Sequence, residues 1–303
     1  MSLIRKIFRS KAQGHPRQGS SRFERIEFAG RFECSLTALS HSGACEGLFL
    51  NRYAMDDIHS LFQRAGLIAH LSAKGFVDLR FAIESDESRM HSLKVYDSRE
   101  APDNLLIELR VSEIIYTPDS EKTWGLLAKE RYQCLAVEWV NLQNPRGGFS
   151  DTRPRLPGQN HPGLGAAGGM LALLEIIARD VTAAAIIDVP ESFHAAVMYS
   201  KRFLFIDPAR QGMMEAALRD LAEYGLAAMS WGFATGAVRD SRTGAPIAYV
   251  PSEQVFPLDE DFKRYFASTR YRAAREAAMN ETRLILDREA MESCKRSHPD
   301  ISR

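Results

Sequence analysis

The segment HPGLGAAGGMLALLEII, residues 161–177, most constrains the fold because a glycine-rich loop runs directly into an apolar helix. The helix carries large apolar side chains on most of its faces, so we expect it to be buried. The strand CLAVEWVNL precedes the loop, and the short apolar strand AAAIIDV follows the helix. This order predicts a mixed α/β fold in which a sheet packs against a buried helix.

The glycine-rich loop has two interpretations. A helix N-terminus presents several free N–H groups and about half a positive charge, which suits a diphosphate. Gly163 and Gly165 would let the backbone approach that group closely. The alternative is a tight turn into a buried helix, without any ligand. The segment lacks the GxxxxGK[ST] pattern of a P-loop, and no βαβ unit opens the chain as a dinucleotide-binding fold requires.

The rest of the chain alternates between helical and strand patterns. NRYAMDDIHSLFQRAGLIAHLSAKG spaces its apolar residues by three and four, which predicts an amphipathic helix. The turn SREAPDN predicts an antiparallel hairpin between SLKVYDS and LLIELRVSEIIY, and a second hairpin is predicted around Thr243 and Gly244. Residues 145–162 show no periodicity and predict a long loop, which inside a compact domain is usually functional or mobile.

Three regions differ in composition. Residues 1–25 hold seven Lys and Arg residues against one acid, which predicts a basic flexible tail. A second interpretation of this tail is a short helix that makes a weak contact with an anionic membrane surface. Residues 26–207 carry the strand and helix patterns of a core, and residues 208–303 predict a mostly helical C-terminal extension.

Charge and cysteine usage exclude several classes. Lys plus Arg and Asp plus Glu both number 39, so the net charge gives no reason to expect a nucleic-acid partner. The cysteines form no CxxC pair, and a site built from Cys34, His41 and Cys45 would lack a fourth ligand, so no metal site is predicted. No apolar run approaches the ~18 residues that a membrane span needs. With no signal peptide visible, a cytoplasmic protein is predicted.

Over roughly residues 86–207 the chain resembles the GNAT superfamily of N-acyltransferases. The resemblance lies in the strand CLAVEWVNL followed by GLGAAGG at the start of a helix, and in the later helix HAAVMYSKRFLF. It implies an α+β mixed sheet with an acyl-CoA-binding core. The implied activity moves an acyl group from acetyl-CoA, or a longer acyl-CoA, to an amine acceptor that is a small molecule or a peptide.

The same resemblance implies where the coenzyme would bind. In the family a splayed strand binds the pantetheine arm, and the backbone amides of the glycine loop bind the pyrophosphate. The matching positions of the strand are Val140, Asn141 and Leu142. Those of the loop and helix start are Gly163, Leu164, Gly165, Ala166 and Gly168.

Three side chains are candidates for proton transfer. Tyr199, near the end of the later helix, would act as the general acid that protonates the leaving thiolate. Glu138, within LAVEWVN, would act as the base, with Glu108 on the neighbouring strand as its competitor. His194, at the strand-to-helix junction, is a further candidate base. Each of these residues also has a purely structural interpretation, as an outward strand residue, a helix cap or a packing side chain.

The chain departs from the family pattern at two positions. Asn160 stands where an Arg or Gln usually opens the loop, and Ser192 stands where an Asn often starts the later helix. These departures motivate an alternative function, a catalytically inactive GNAT-like module that binds a ligand or partner. They also suggest that RPRLPGQNH covers the coenzyme, with Arg153 and Arg155 near its phosphates.

Overall fold

The computed structural model describes residues 30–34, 47–85 and 91–297, so the predicted basic tail lies outside the described residues. The strands are β1 (Gly30–Cys34), β2 (Leu79–Ser85), β3 (His91–Asp97), β4 (Leu105–Pro118), β5 (Tyr132–Leu142), β6 (Ala185–Asp188), β7 (Leu204–Phe205), β8 (Val238–Asp240), β9 (Gln254–Pro257) and β10 (Leu284–Leu286). The helices are α1 (Met55–Arg64), α2 (Leu67–Ala73), α3 (Ala167–Asp180), α4 (Phe193–Tyr199), α5 (Pro208–Asp220), α6 (Gly225–Ala234), α7 (Glu260–Ala267), α8 (Thr269–Glu281) and α9 (Arg288–Ser297).

The main sheet has the strand order β2-β3-β4-β5-β6-β9-β7, and β1 also pairs with β4. Among the described strands, β5 and β6 are parallel and the remaining pairs of this sheet are antiparallel. Strand β4 has 14 residues, so β3 pairs with its first half and β1 with its last five residues. The predicted mixed α/β class is confirmed, with a mostly antiparallel sheet.

The local predictions of strands and helices agree with the structure. Strands β3 and β4 pair antiparallel around the predicted turn, which contains a short 3-10 turn at Pro102–Asn104. The amphipathic segment forms α1 and α2, which are separated by Gly66 in the left-handed conformation (φ 74°). The segment after the glycine loop forms α3, whose buried residues include Met170 and Leu174. The two-residue period of the strands and the 3.6-residue period of the helices depend only on residues that are close in sequence, and both are present in the structure.

Side-chain alternation along β5 and β6 divides the core between the two faces of the sheet. Leu135, Val137 and Ile186 contribute to the cluster that contains α1, α2 and α3. Cys134 and Ile187 contribute to a second cluster with aromatic residues of α7 and α8. The central strands are therefore covered on both faces, which explains why their sequences are apolar at nearly every position.

Helix α3 approaches the α1–α2 junction closely. A Cβ built on Gly169 would lie 2.8 Å from Leu67 Cδ2 and 3.3 Å from the backbone oxygen of Ala65. The missing side chain at Gly169 therefore lets the start of α3 pack directly against α2. This contact fixes the position of the glycine loop relative to α2, because the loop leads straight into α3.

The C-terminal extension is mostly helical, and it also supplies part of the main sheet. Strand β9 pairs with β6 on one side and with β7 on the other. After β8 the chain reverses around Gly244, where Asp240 N donates to Ala245 O, but the strand partner of β8 is β10. Strand β10 was not predicted, because it is three residues long within a helical pattern. Among the described residues, no helix is both long enough and apolar enough to cross a bilayer.

Candidate functional site

The candidate site begins where the parallel strands β5 and β6 separate. Their pairing runs from Cys134 opposite Ala185 to Val137 opposite Asp188. Strand β6 then ends, whereas β5 continues to Leu142. The last five residues of β5 therefore have no β6 neighbour. Ligands commonly bind outside the carboxyl ends of parallel strands, where backbone groups are left exposed.

A β-bulge lies at this point of separation. Arg110 of β4 is opposite Trp139, while the next β4 residue, Val111, is opposite Val137. Glu138 is therefore the extra residue of β5 and has no Cα partner on β4. Bulges redirect side chains and are common beside functional sites. Glu138 is 7% exposed, whereas its neighbour Trp139 is 42% exposed.

The glycine loop closes the far end of the gap. Leu164 N donates to Leu142 O at 3.0 Å, and Asn144 N donates to Pro162 O at 2.8 Å. The next residue along β5, Gln143, donates its N–H to Leu106 of β4 at 2.9 Å. Backbone groups alternate in direction along a strand, so those of Leu142 and Val140 point away from β4, towards the gap.

Asn141 lies between these two predicted coenzyme-binding residues, and its backbone groups point the opposite way. It is opposite Glu108 of β4, and its side-chain amide donates to Gln143 Oε1 at 3.2 Å. Of the three predicted strand residues, Val140 and Leu142 direct backbone groups into the gap, and Asn141 directs its own towards β4.

The start of α3 is open to solvent. Helix α3 begins at Ala167, and its first intrahelical bond runs from Met170 N to Ala166 O. Within the described part of the chain, the amides of residues 165–169 have no hydrogen-bond acceptor. Gly165 has φ +73°, a conformation that favours glycine, and Gly165, Ala167 and Gly168 are exposed. The buried side chains of Leu164 and Ala166 anchor the loop in the core.

Helix α2 brings a cation to this helix start. The His70 ring nitrogen Nε2 lies 3.2 Å from Leu164 O, so the end of α2 contacts the loop. A Cβ built on Gly165 would lie 3.8 Å from Lys74 Nζ. Sequence reasoning missed Lys74, because no local pattern connects α2 with a loop so distant in sequence. Asn160, where the family pattern places a longer polar side chain, is exposed.

Asp188, the last residue of β6, is a buried acid beside the bulge and is 7% exposed. Burial raises the pKa of Asp188 to about 8, and the negative charges of Glu138 and Glu191 add to this shift, while a hydrogen bond from Val189 N–H opposes it. At neutral pH this carboxyl group therefore retains its proton. Sequence reasoning did not choose Asp188, because its burial depends on elements that lie far apart in the chain.

Tyr199 is the last residue of α4 and packs against Phe203, with 5.3 Å between the ring centroids. Burial, and then the charge of Asp188, raise the pKa of Tyr199 well above 10. The phenol therefore holds its proton at neutral pH, as a general acid must before it acts. Within the described residues its hydroxyl group forms no hydrogen bond. The charge of Glu138 therefore acts on Asp188, and the charge of Asp188 acts on Tyr199.

His194 occupies a different environment. Ser192 caps α4 by accepting a hydrogen bond from Ala195 N at 3.4 Å, and its hydroxyl lies 3.2 Å from His194 Nε2. Burial lowers the pKa of His194 to about 4, so the ring is neutral at pH 7. No charge contributes to that shift, which separates His194 electrostatically from Asp188 and Glu138.

The other predicted acid and base residues have structural contacts. The competitor Glu108 accepts a hydrogen bond from Arg110 Nε at 3.0 Å and is ion-paired with it. On the bulge, Ser112 Oγ donates to Glu138 Oε1 at 3.4 Å. Of the two glutamates, Glu138 is the one whose charge acts on Asp188.

The long loop is held against the extension. Arg155 Nε donates to Gln159 O at 2.6 Å, and the indole N–H of Trp231 in α6 donates to Arg155 O at 2.9 Å. Arg153 is exposed and forms a backbone turn with Ser150. The loop also forms one wall of a cavity of about 510 Å³ whose other walls come from α6 and α9. The proposed role of Arg153 and Arg155 near phosphates stays a prediction.

The described parts of the chain contain no cluster of metal-ligating side chains. Among residues 47–85 and 91–297, no group of three His, Cys, Asp or Glu side chains could hold a metal ion. His41, Cys45 and the side chain of Cys34 lie outside the described residues. Cys134 is buried, and its burial raises the pKa of the thiol.

Comparison of the chain with protein-family models, curated proteins and solved structures finds no significant match.

Proposed function

We propose that this protein transfers an acyl group from an acyl-CoA to an amine acceptor, through a GNAT-like core. The observation that carries the proposal is the gap between β5 and β6, which has the exposed amides of α3 at one end and the bulged residue Glu138 at the other. One extended ligand would bind along this gap and reach both of its ends.

The coenzyme would bind along the free edge of β5. Its diphosphate would accept hydrogen bonds from the amides at the start of α3, where the helix dipole favours negative charge. The Lys74 ammonium group would contribute a second positive charge in place of a loop arginine. The pantetheine arm carries amide groups, and these would pair with the backbone of Val140 and with the N–H of Leu142, whose oxygen already accepts from Leu164 N, as an added strand does.

The chemical step would depend mainly on holding the amine beside an already activated thioester. A backbone N–H of the unpaired end of β5 would stabilise the negative charge on the thioester oxygen. Glu138 would accept a proton from the amine, and Tyr199 would donate one to the departing sulfur. His194, which is neutral at pH 7, would be an alternative base.

A charge at Gly168 tests the binding step. A Cβ built on Gly168 meets no atom of the described residues within 4 Å, so a longer side chain fits there without a clash with them. Gly168→Glu would place a carboxylate in the first turn of α3, where it stabilises the helix by about 0.3–1 kcal/mol but repels a diphosphate. Gly168→Gln is the matched neutral control.

Calorimetry with acetyl-CoA and a long-chain acyl-CoA gives the readout, and thermal unfolding checks the fold. We expect the Glu variant to lose coenzyme affinity while its melting temperature stays the same or rises, and the Gln variant to bind. Equal binding by the Glu and Gln variants, or no binding by the wild type, would contradict the proposal.

The alternative function is a catalytically inactive module that binds a ligand or partner in the same gap. The exposed Asn160 favours it, because the usual loop side chain is missing. Incubating the wild-type chain with acetyl-CoA or a long-chain acyl-CoA and a panel of amines separates the two functions. Release of free thiol that depends on the amine supports the enzyme, whereas binding without turnover over the whole panel supports the module.

A further inference from the structure

The cavity between the long loop, α6 and α9 is lined by residues other than those of the β5–β6 gap. Its walls come from the long loop, a 3-10 turn at Ala222–Tyr224, α6 and α9, and none of its lining residues belongs to β5, β6 or α3. Its volume of about 510 Å³ falls within the range of about 300–1,000 Å³ that is typical of small-molecule sites. The proposed acyl transfer leaves this cavity without a role.

The floor of the cavity is apolar and partly aromatic. Each of the two helices presents one face to it, with residues at i, i+3, i+4 and i+7. On the side of α6 these residues are Tyr224, Ala227, Ala228 and Trp231. On α9 they are Arg288, Met291, Glu292 and Lys295. Trp231 and Met291 are buried, and the small side chains of Ala227 and Ala228 leave space beside them.

Five charged residues line the cavity, and three of them have protein partners. Lys295 is ion-paired with Glu292 at 3.0 Å, and its ammonium group lies 5.3 Å from the centroid of the Trp231 ring. Arg155 Nε donates to Gln159 O, and the indole N–H of Trp231 donates to Arg155 O. These contacts hold the long loop, the aromatic ring and α9 together around the cavity.

The other two charged residues, Glu223 and Arg288, differ in this respect. Both are exposed, and within the described part of the chain neither side chain forms an ion pair or a hydrogen bond. A carboxylate and a guanidinium group therefore line the same cavity without pairing with each other. Each of these groups would gain a charge-assisted hydrogen bond from a ligand group of opposite charge.

We propose that this cavity binds a zwitterionic amino acid with an apolar side chain. The ligand carboxylate would accept hydrogen bonds from Arg288, and its ammonium group would donate to Glu223. The apolar side chain would cover Trp231 and Met291. A ligand with one charge alone would leave either Glu223 or Arg288 unpaired, so the zwitterion complements the charges of the cavity best.

This inference goes beyond the proposed acyl transfer and does not depend on it. Because Pro154 and Arg155 of the long loop form one wall, a ligand in the cavity would also contact that loop. Binding should therefore slow hydrogen exchange in residues 145–162, and this effect locates the bound ligand.

The test titrates the full-length wild type by calorimetry, with no acyl-CoA present. The probes are L-phenylalanine and L-leucine. Two analogues each lack one charge: 3-phenylpropionate has no ammonium group, and phenethylamine has no carboxylate. L-Serine keeps both charges but lacks the apolar side chain. Hydrogen exchange of the long loop is measured with and without L-phenylalanine.

Two variants, Glu223→Gln and Arg288→Gln, each remove one charge from an exposed side chain. Their matched controls are Glu289→Gln and Arg296→Gln, because Glu289 and Arg296 are exposed residues of α9 that do not line this cavity. Thermal unfolding of all four variants checks that the fold is unchanged.

We expect L-phenylalanine or L-leucine to bind the wild type and to slow exchange in the long loop. The two analogues and L-serine should bind at least about 10-fold more weakly. Both cavity variants should lose at least about 10-fold in affinity for the amino acid, and both controls should bind it like the wild type.

No binding of either amino acid would overturn the proposal. Equal binding of the analogues that carry one charge, binding that leaves exchange in residues 145–162 unchanged, or equal losses in the cavity variants and their controls would also overturn it. Since the titrations contain no coenzyme, a failure of the acyl-transfer proposal would leave these results unchanged.

Discussion

Replacing Asp188 by Asn measures the cost of its burial without any ligand or substrate. The folded protein holds the proton of this group up to about pH 8, whereas an unfolded chain releases it near pH 4. The pKa is raised on folding, so the stabilising contribution is fully present below about pH 4 and is lost as the pH rises to about 8. Each pKa unit corresponds to about 1.4 kcal/mol, so a rise of about four units amounts to about 6 kcal/mol.

The assay is urea unfolding of wild type and Asp188→Asn at a series of pH values from about 4 to about 9. The free energy of unfolding of the wild type, minus that of the variant, should fall by about 6 kcal/mol across this range. Above pH 8 the variant should be the more stable protein. Asp103→Asn, which changes an exposed acid in a turn, should show no such trend. A wild-type-minus-variant difference that is flat with pH, or that rises, would refute the claim that Asp188 is held protonated.

Three further predictions follow from the packing. Because the pKa of His194 is lowered to about 4, its contribution to stability should be lost as the pH falls from about 6.5 to about 4. In urea unfolding, the wild type should lose about 3 kcal/mol relative to His194→Gln over this range. Gly212→Ala should cost more than about 2 kcal/mol in urea unfolding, because a Cβ there would clash with the backbone oxygen of Arg275 in α8. Gly168→Ala should cost nothing, because a Cβ there meets none of the described atoms. Trp231→Phe removes the indole N–H bond to the long loop, so hydrogen exchange in residues 145–162 should accelerate by an amount equivalent to about 1 kcal/mol, and unchanged exchange would contradict this role.

Prediction from the sequence worked best where the pattern is local. The strand that carries Glu138, the glycine turn at Gly165 and the buried helix after it all follow from side-chain periodicity and backbone freedom within a few residues. The same holds for the β3–β4 hairpin, whose turn composition and flanking strands are adjacent in the chain. These features need no knowledge of what packs against them.

The tertiary structure decided which side chains meet. Lys74 reaches the start of α3 because Gly169 lets that helix pack against α2. Asp188 comes opposite Val137, beside the bulge, through the parallel pairing of β5 with β6. The bulge at Glu138 is a shift in the register between β4 and β5, so it cannot be recognised in the sequence of either strand alone. The sequence therefore determined the local elements, because their periodicity depends on residues that are close together in the chain. The burial, charge and pKa of the site depend on groups brought together from distant segments, and only the fold supplies those.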